Sequence, residues 1–366
     1  MSPSFVPREL KMLERWESDK SLTSTLDKST NNWGNRRKTM LIKTTLHRSQ
    51  RRRVTQDAQR VSVQPWYGYD TTVRAKIQAQ RLSAIYYRAG SERNSIYTRK
   101  GQRVAMCGDM VGVQAGKVIV QWHCDDRLCP LCAIKSARRI AANARIVLER
   151  ACSEAELRPY MLTLTQKNCS ANELSERVDD ILKSWHDITH GLRANRKYVQ
   201  GYARTIEITV GRDGLYHPHL HSIMLMTPDT PVEMLRARYW AKLWARYMDT
   251  QRYQDVIPIC DIRAIRSNHR KHLESTAAAA AEVAKYTAKS GQILSRKGAY
   301  EHILAIDAAI SGRRLRSYGG VWKTIRAQMR LEDAVTAPEP ATEYVANAPI
   351  DLWQWAGATK SYKRVL

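Results

Sequence analysis

The run His217-Pro218-His219-Leu220-His221 sits between a Gly/Asp turn and an apolar stretch. On a strand, successive side chains alternate faces, so His219 and His221 point the same way. Two imidazoles side by side are costly to bury without partners, and they are well placed to hold a divalent metal from one side. Further along, Glu282-Val283-Ala284-Lys285-Tyr286-Thr287-Ala288-Lys289 supplies groups that such a metal could serve. On a helix, Glu282, Tyr286 and Lys289 fall at i, i+4 and i+7, along one stripe. A metal, a phenol and a carboxylate make a phosphodiester-cleaving site. In it the phenolate attacks, the metal polarises the phosphate, Lys289 neutralises charge, and Glu282 activates a second nucleophile such as water. Taken alone, the segment is more often simply a packed tyrosine on an alanine-rich helix, with Glu282 paired to Lys285 or Lys289.

The stretch Arg204-Thr205-Ile206-Glu207-Ile208-Thr209-Val210 alternates as the other arm of a hairpin, turned by Gly211-Arg212-Asp213-Gly214. Thr205, Glu207 and Thr209 share one face, and Ile206, Ile208 and Val210 the other. If the polar face is shared with the histidines, Glu207 becomes a third, hard-oxygen ligand, and only the pairing register decides that. Two histidines and a carboxylate open to water suit Mg²⁺, Mn²⁺ or a similar ion better than a closed zinc site. A histidine pair bonded to backbone is the plainer alternative. His217, at the strand start, reads as a support for the ligands or a substrate contact.

Four of seven cysteines cluster: Cys107, Cys124, Cys129 and Cys132, while Cys152, Cys169 and Cys260 are scattered. Cys129-Pro130-Leu131-Cys132 is a knuckle, with Cys107-Gly108 and Cys124 as the other arm around a β segment. Four thiolates so arranged suit a structural Zn²⁺. His123 could replace Cys124 or Cys107. A redox C-x-x-C would want a thioredoxin-like βαβ context, which is not seen.

Sixty Lys and Arg stand against thirty-five acids, a formal net charge of +25 with 43% hydrophobic residues. That balance points to a polyanion, nucleic acid first. A membrane is disfavoured, because no 18-residue apolar run, cleavable signal or long amphipathic basic helix is found. The chain reads as soluble and cytoplasmic. One Phe against seventeen Tyr and ten Trp suits base stacking as well as packing. No P-loop pattern occurs, so duplex unwinding must come from another protein.

Four regions follow. Residues 1–100 are a basic, partly helical or disordered arm, with Arg36, Arg37, Lys38, Lys43, Arg48, Arg51, Arg52, Arg53 and Arg60 facing only Asp57. A short helix is expected over 73–88. Residues 101–150 form the cysteine module, with a strand at 117–122 and a basic helix from Lys135 to about Glu149. Residues 151–330 form an antiparallel sheet with helical crossovers. Its strands are expected over 160–165, 204–210, 217–226 and about 257–265, and its helices over 172–192, 231–248 and from 275 or 276 to Gly291. Residues 331–366 are a proline-bearing linker and an aromatic end, Trp353 to Tyr362, that docks back.

Read in order, these pieces resemble the single-tyrosine HUH endonucleases that initiate rolling-circle replication of small bacterial plasmids. The resemblance rests on Leu162-Thr163-Leu164-Thr165, the histidine run and the Tyr286 segment. The cysteine stretch Cys107-Gly108 … Cys124-Asp125-Asp126-Arg127-Leu128-Cys129-Pro130-Leu131-Cys132 is similar to a module preceding the core in one branch. Arg314-Leu315-Arg316-Ser317-Tyr318-Gly319-Gly320 is similar to a basic, glycine-ended segment after the tyrosine. The likeness covers about residues 100–325 and implies an α+β fold. An HUH-type antiparallel sheet would hold the histidines at its centre, with the tyrosine helix across it and a zinc-ribbon-like module before it. It implies that Tyr286 attacks a phosphate of single-stranded or extruded origin DNA, leaving a 5′-phosphotyrosine link and a 3′-OH primer. His219, His221 and Glu207 carry over as ligands of Mn²⁺ or Mg²⁺. Glu282 carries over as the carboxylate that activates water at termination. The expected partners are plasmid origin DNA, a host helicase and DNA polymerase, and a homodimer is compatible. Two rivals remain at this level: a zinc-containing DNA-binding regulator without nuclease activity, and an HUH transposase or relaxase.

Overall fold

Alternation in the sequence becomes an antiparallel sheet wherever one face can be buried, and two such sheets organise the described residues. The computed structural model describes Trp66 and residues 68–92, 95–191, 197–248, 258–265, 280, 290–331 and 349–365. Within these, the elements in order are helices α1 (Tyr69–Glu92) and α2 (Ser95–Met106), then strands β1 (Met110–Gln114) and β2 (Lys117–Gln121). Next come α3 (Pro130–Glu154), β3 (Arg158–Thr165), α4 (Leu174–Gly191), β4 (Val199–Val210) and β5 (Tyr216–Met226). A 3₁₀ turn (Val232–Leu235), α5 (Ala237–Tyr247) and β6 (Cys260–Ala264) follow. The chain closes with α6 (Ser290–Ile293), α7 (Ala299–Ile310), β7 (Arg316–Gly320), α8 (Val321–Gln328), β8 (Asp351–Ala356) and β9 (Ser361–Arg364). The protein is therefore α+β.

The larger sheet has the order β6-β3-β5-β4-β7, every pair antiparallel, so the histidine strand β5 is central. One face carries Leu162, Leu164, Ile206, Ile208, Leu220 and Met224. Leu174, Val178, Ile181 and Trp185 of α4, Trp240 and Trp244 of α5, and Ile303 and Ile306 of α7 cover it. These helical positions recur every three or four residues, the spacing of one buried stripe. The opposite face begins with Met161, Ala203, Ile223 and Leu225, buried under Ile140, Ala144, Val147 and Leu148 of α3 and Trp322 of α8. Further along, the same face carries the histidines.

The smaller sheet has the order β2-β1-β8-β9. The aromatic end of the chain does dock back, as two strands, with Val111 opposite Trp353. Its core is aromatic: the Trp66 ring meets Trp353 and Tyr362 edge-on, each at 5.4 Å between centroids.

Several expected boundaries shift for identifiable reasons. The helix expected from Lys135 starts at Pro130, because proline at the first helical position loses no hydrogen bond and has its φ already set. The helix expected over 231–248 is broken at Arg236, whose backbone is extended (φ −108, ψ 137). The helix expected over 73–88 is longer, Tyr69–Glu92, and α2 was not foreseen. The segment carrying Glu282, Tyr286 and Lys289, and most of the basic arm, lie outside the described residues.

Candidate metal centres and their supports

Register brings the first group together. Glu207 of β4 stands opposite His219 of β5, and Thr205 opposite His221. Partners directly opposite share a face, so the carboxylate and both imidazoles project from the same side. Their ligand atoms all lie within 4.8 Å of one another. Glu207 Oε2 is 3.4 Å from His219 Nε2 and 3.1 Å from His221 Nε2. The Glu207 side chain is buried, while His219 and His221 keep 17% and 12% of their side-chain surface, enough for approach from solvent.

The outer nitrogens fix the rings. His219 Nδ1 lies 3.0 Å from the His217 carbonyl oxygen, which can only accept, so Nδ1 carries the proton. In the neutral ring the Nε2 lone pair then faces the Glu207 carboxylate, two acceptors at close range. A cation or a proton between them removes that conflict. His221 Nδ1 lies 3.1 Å from Thr163 Oγ1 on the neighbouring strand β3. Ligand imidazoles held by an oxygen at the other nitrogen are the usual arrangement around a protein-bound metal. With one carboxylate and two nitrogens, these residues fit a divalent ion.

The strands are themselves braced here. Trp244 Nε1 of α5 donates to the Thr165 carbonyl at 2.8 Å, and Thr165 lies opposite His219. His217 contributes its backbone carbonyl to the His219 ring, and its own ring crowds Gly211, where a Cβ would come within 2.5 Å of His217 Nε2.

The second group is Cys107, Cys124, Cys129 and Cys132, all buried. Cys107 Sγ lies 3.6 Å from Cys132 Sγ and from Cys129 Sγ, and Cys124 Sγ lies 3.5 Å from Cys132 Sγ. A zinc–sulfur tetrahedron with bonds of about 2.3 Å has edges of roughly 3.8 Å, so the thiols already approximate one. Hydrogen bonds among the thiols and burial hold Cys107 and Cys129 well above the usual thiol range. The three neighbouring thiols push Cys132 far down. Cys129 stands at the N-cap position of α3 without a side-chain capping bond, and Cys132 lies in the first turn, where the helix N-terminus favours a thiolate. His123 Nδ1 is 3.8 Å from Cys132 Sγ, so His123 stands beside the group, and the four sulfurs alone complete the set.

Sequence reasoning missed what steadies this cluster. Lys76 of α1 is fully buried, and its ammonium donates to the carbonyls of Ala105 and Cys107, each at 2.7 Å, and to Asp109 Oδ1 at 2.6 Å. Tyr362 of β9 donates to the Gly108 carbonyl at 2.7 Å. Gly108 itself has φ +69, and a Cβ there would approach Leu131 Cδ1 to 2.8 Å, so glycine is required. Between Cys124 and Cys129, Asp126 accepts from Lys100 and Tyr86, which also reach Asp307 of α7. Burial pushes the Asp126 carboxyl up, against the pull of Lys100. Arg127 donates to the carbonyls of Ile310 and Arg313 at 2.7 and 2.9 Å. The cysteine loop is thereby tied to the helix layer behind the large sheet.

An antiparallel sheet with a central His/His/Glu group, and a separate four-cysteine cluster, give the protein two groups that could each hold a metal ion. Residues 115–362 match Rep_1, replication protein. The chain belongs to this family of plasmid replication proteins. The match reaches past the region of resemblance seen in the sequence, through β8 and into β9. Protein rep of Lentilactobacillus hilgardii is 31% identical over 246 residues, covering 64% of this chain and 77% of that protein. Protein rep of Lactiplantibacillus plantarum is 32% identical over 225 residues, covering 59% and 69%. Protein rep of Bacillus amyloliquefaciens is 25% identical over 316 residues, covering 79% and 91%. No solved structure matches significantly. Among the described residues, no helix is long and apolar enough to cross a membrane.

Proposed function

We propose that this chain is an HUH-type initiator endonuclease that nicks one strand at a plasmid double-strand origin and starts rolling-circle replication. The observation that carries this reading is the convergence of Glu207, His219 and His221 on adjacent central strands, in a member of a plasmid replication family. A divalent ion, Mn²⁺ or Mg²⁺, would be held by these three residues and would polarise the scissile phosphate.

The remaining chemistry falls to the segment after Ala280. Tyr286 is the nucleophile: its Oη–P bond forms as the bond from phosphorus to the leaving 3′-oxygen breaks, and that oxygen takes up a proton as the 3′-OH primer. The product on the other side is a 5′-phosphotyrosine ester. Lys289 balances charge on the phosphate, and Glu282 takes a proton from the water that resolves the link at termination. Ala280 is buried in the cluster that covers the histidine-bearing face, which supports bringing Tyr286 to this side of the sheet.

The four cysteines hold a structural Zn²⁺ in a zinc-ribbon-like module over about residues 101–150, ahead of a nuclease core over about 151–330. The basic arm before them adds phosphate contacts. The protein works in the bacterial cytoplasm with a host helicase and polymerase.

The test is a nicking assay on supercoiled plasmid carrying the protein's own origin. Open circles should form with Mn²⁺ or Mg²⁺ and stop with EDTA. Tight origin binding without any nick, metal present, would leave a DNA-binding regulator instead.

A further inference from the structure

Beyond the metal centres, one surface feature has chemistry of its own. A groove of about 530 Å³ runs between β7 and α8, lined by Arg314, Lys323, Arg326 and Arg330 with Ser317, Tyr318, Ala327 and Leu331. Among the described residues that line it there is no carboxylate. Arg314, Lys323 and Arg330 are exposed, so their charges face whatever enters.

The groove is in line with the histidine group. Arg316 of β7 stands opposite Thr205, which stands opposite His221, so one row of the sheet joins all three. Tyr318, two residues along β7, is on the same face and packs beside Ala203 and Ile223. With strands about 4.8 Å apart and about 3.4 Å per residue, Tyr318 lies roughly 12 Å from His221 along the sheet. A single strand crosses that span in a few nucleotides.

The aromatic ring at the groove is already engaged. The Arg326 guanidinium lies 4.2 Å from the Tyr318 ring centroid, and Trp322 stacks against the ring at 6.3 Å with planes 10° apart. A base would have to displace one of them, so the groove offers cations and no free stacking platform.

We infer that the groove between β7 and α8 binds the phosphate backbone of the DNA strand running through the histidine site, without reading its bases. This rests on the nuclease reading above.

The test compares the full-length protein with the double variant K323A/R330A. The probes are fluorescein-labelled oligo-dT and a single-stranded oligonucleotide of mixed sequence, bound over a salt series. A control variant, K117A/K363A, removes the same charge from the smaller sheet. Losing two phosphate contacts should make the slope of log K against log salt shallower by about 1.4, at roughly 0.7 per contact. The change should be equal on both probes and absent in the control. An unchanged slope, a loss matched by the control, or a loss on one probe only would overturn the groove assignment. If the wild-type protein itself binds neither probe, the groove assignment falls, while nicking of the protein's own origin plasmid decides the nuclease reading separately.

Discussion

The carboxylate of Glu207 stands opposite His219 in register, yet it comes closer to His221, at 3.1 Å against 3.4 Å. It bridges both imidazoles from the neighbouring strand. Three potential ligands are thus set by backbone pairing between two central strands, and no mobile loop has to close to assemble them. What remains adjustable is the orientation of the rings, and the outer hydrogen bonds fix that.

Thr163 is the residue on which that claim is most exposed. Its hydroxyl holds His221 Nδ1 at 3.1 Å but touches no metal position. Thr163→Val keeps the shape and removes the bond. Mn²⁺-supported nicking should fall by about 10–100-fold, with half-saturation moved to higher Mn²⁺. Titrating Mn²⁺ in the nicking assay checks it; an unchanged titration would remove Thr163 from the site.

The cysteine cluster should carry tightly bound zinc, measurable by elemental analysis of protein purified without added metal. Cys132→Ser removes the sulfur nearest two others, so zinc content should collapse. Because the loop between Cys124 and Cys129 is tied through Asp126 and Arg127 to the α7 region, thermal stability of the whole protein should fall as well. Full zinc loss with no change in melting would show the cluster to be independent of the large sheet.

Lys76 has no catalytic atom near it, yet it holds the Cys107 carbonyl and Asp109 from within the core. Lys76→Met preserves the apolar stem and strands the buried Cys107 carbonyl and the partly buried Ala105 carbonyl. A loss of about 2–3 kcal/mol in unfolding free energy is expected, from the usual cost of leaving such groups unsatisfied. Chemical denaturation of zinc-loaded protein measures it.

Glu282→Ala should still cut but terminate poorly, so that covalent adduct persists and closed single-stranded circles are not released. Following both products over time on origin plasmid separates the steps. Normal release of circles would take Glu282 out of the mechanism.

Much of this arrangement was legible in the sequence because it is local. Alternation along 204–210 and 217–226 gave the two strands, and residue type gave the ligands. Only register, a property of the pair, decided that Glu207 joined them. The four sulfurs were readable from their clustering, whereas Lys76 was not. A lysine in the polar-looking helix α1 gives no local sign that it will be buried beneath a cysteine loop. The pairing of β1 with β8 was hidden for the same reason, since strands so far apart in sequence carry no shared pattern. The aromatic residues of the C-terminal segment showed only that it would dock.

The central claim is that Tyr286 becomes covalently joined to DNA. Purified protein, Mn²⁺ and single-stranded DNA from its own origin should yield a denaturant-resistant adduct, and mass spectrometry of the digested adduct should find the nucleotide on the peptide containing Tyr286. Tyr286→Phe should form no adduct while binding the DNA as tightly as before. A nucleotide attached at another residue, or a fully active Tyr286→Phe, would contradict the assignment of the nucleophile. No adduct on the cognate origin would contradict the nuclease itself.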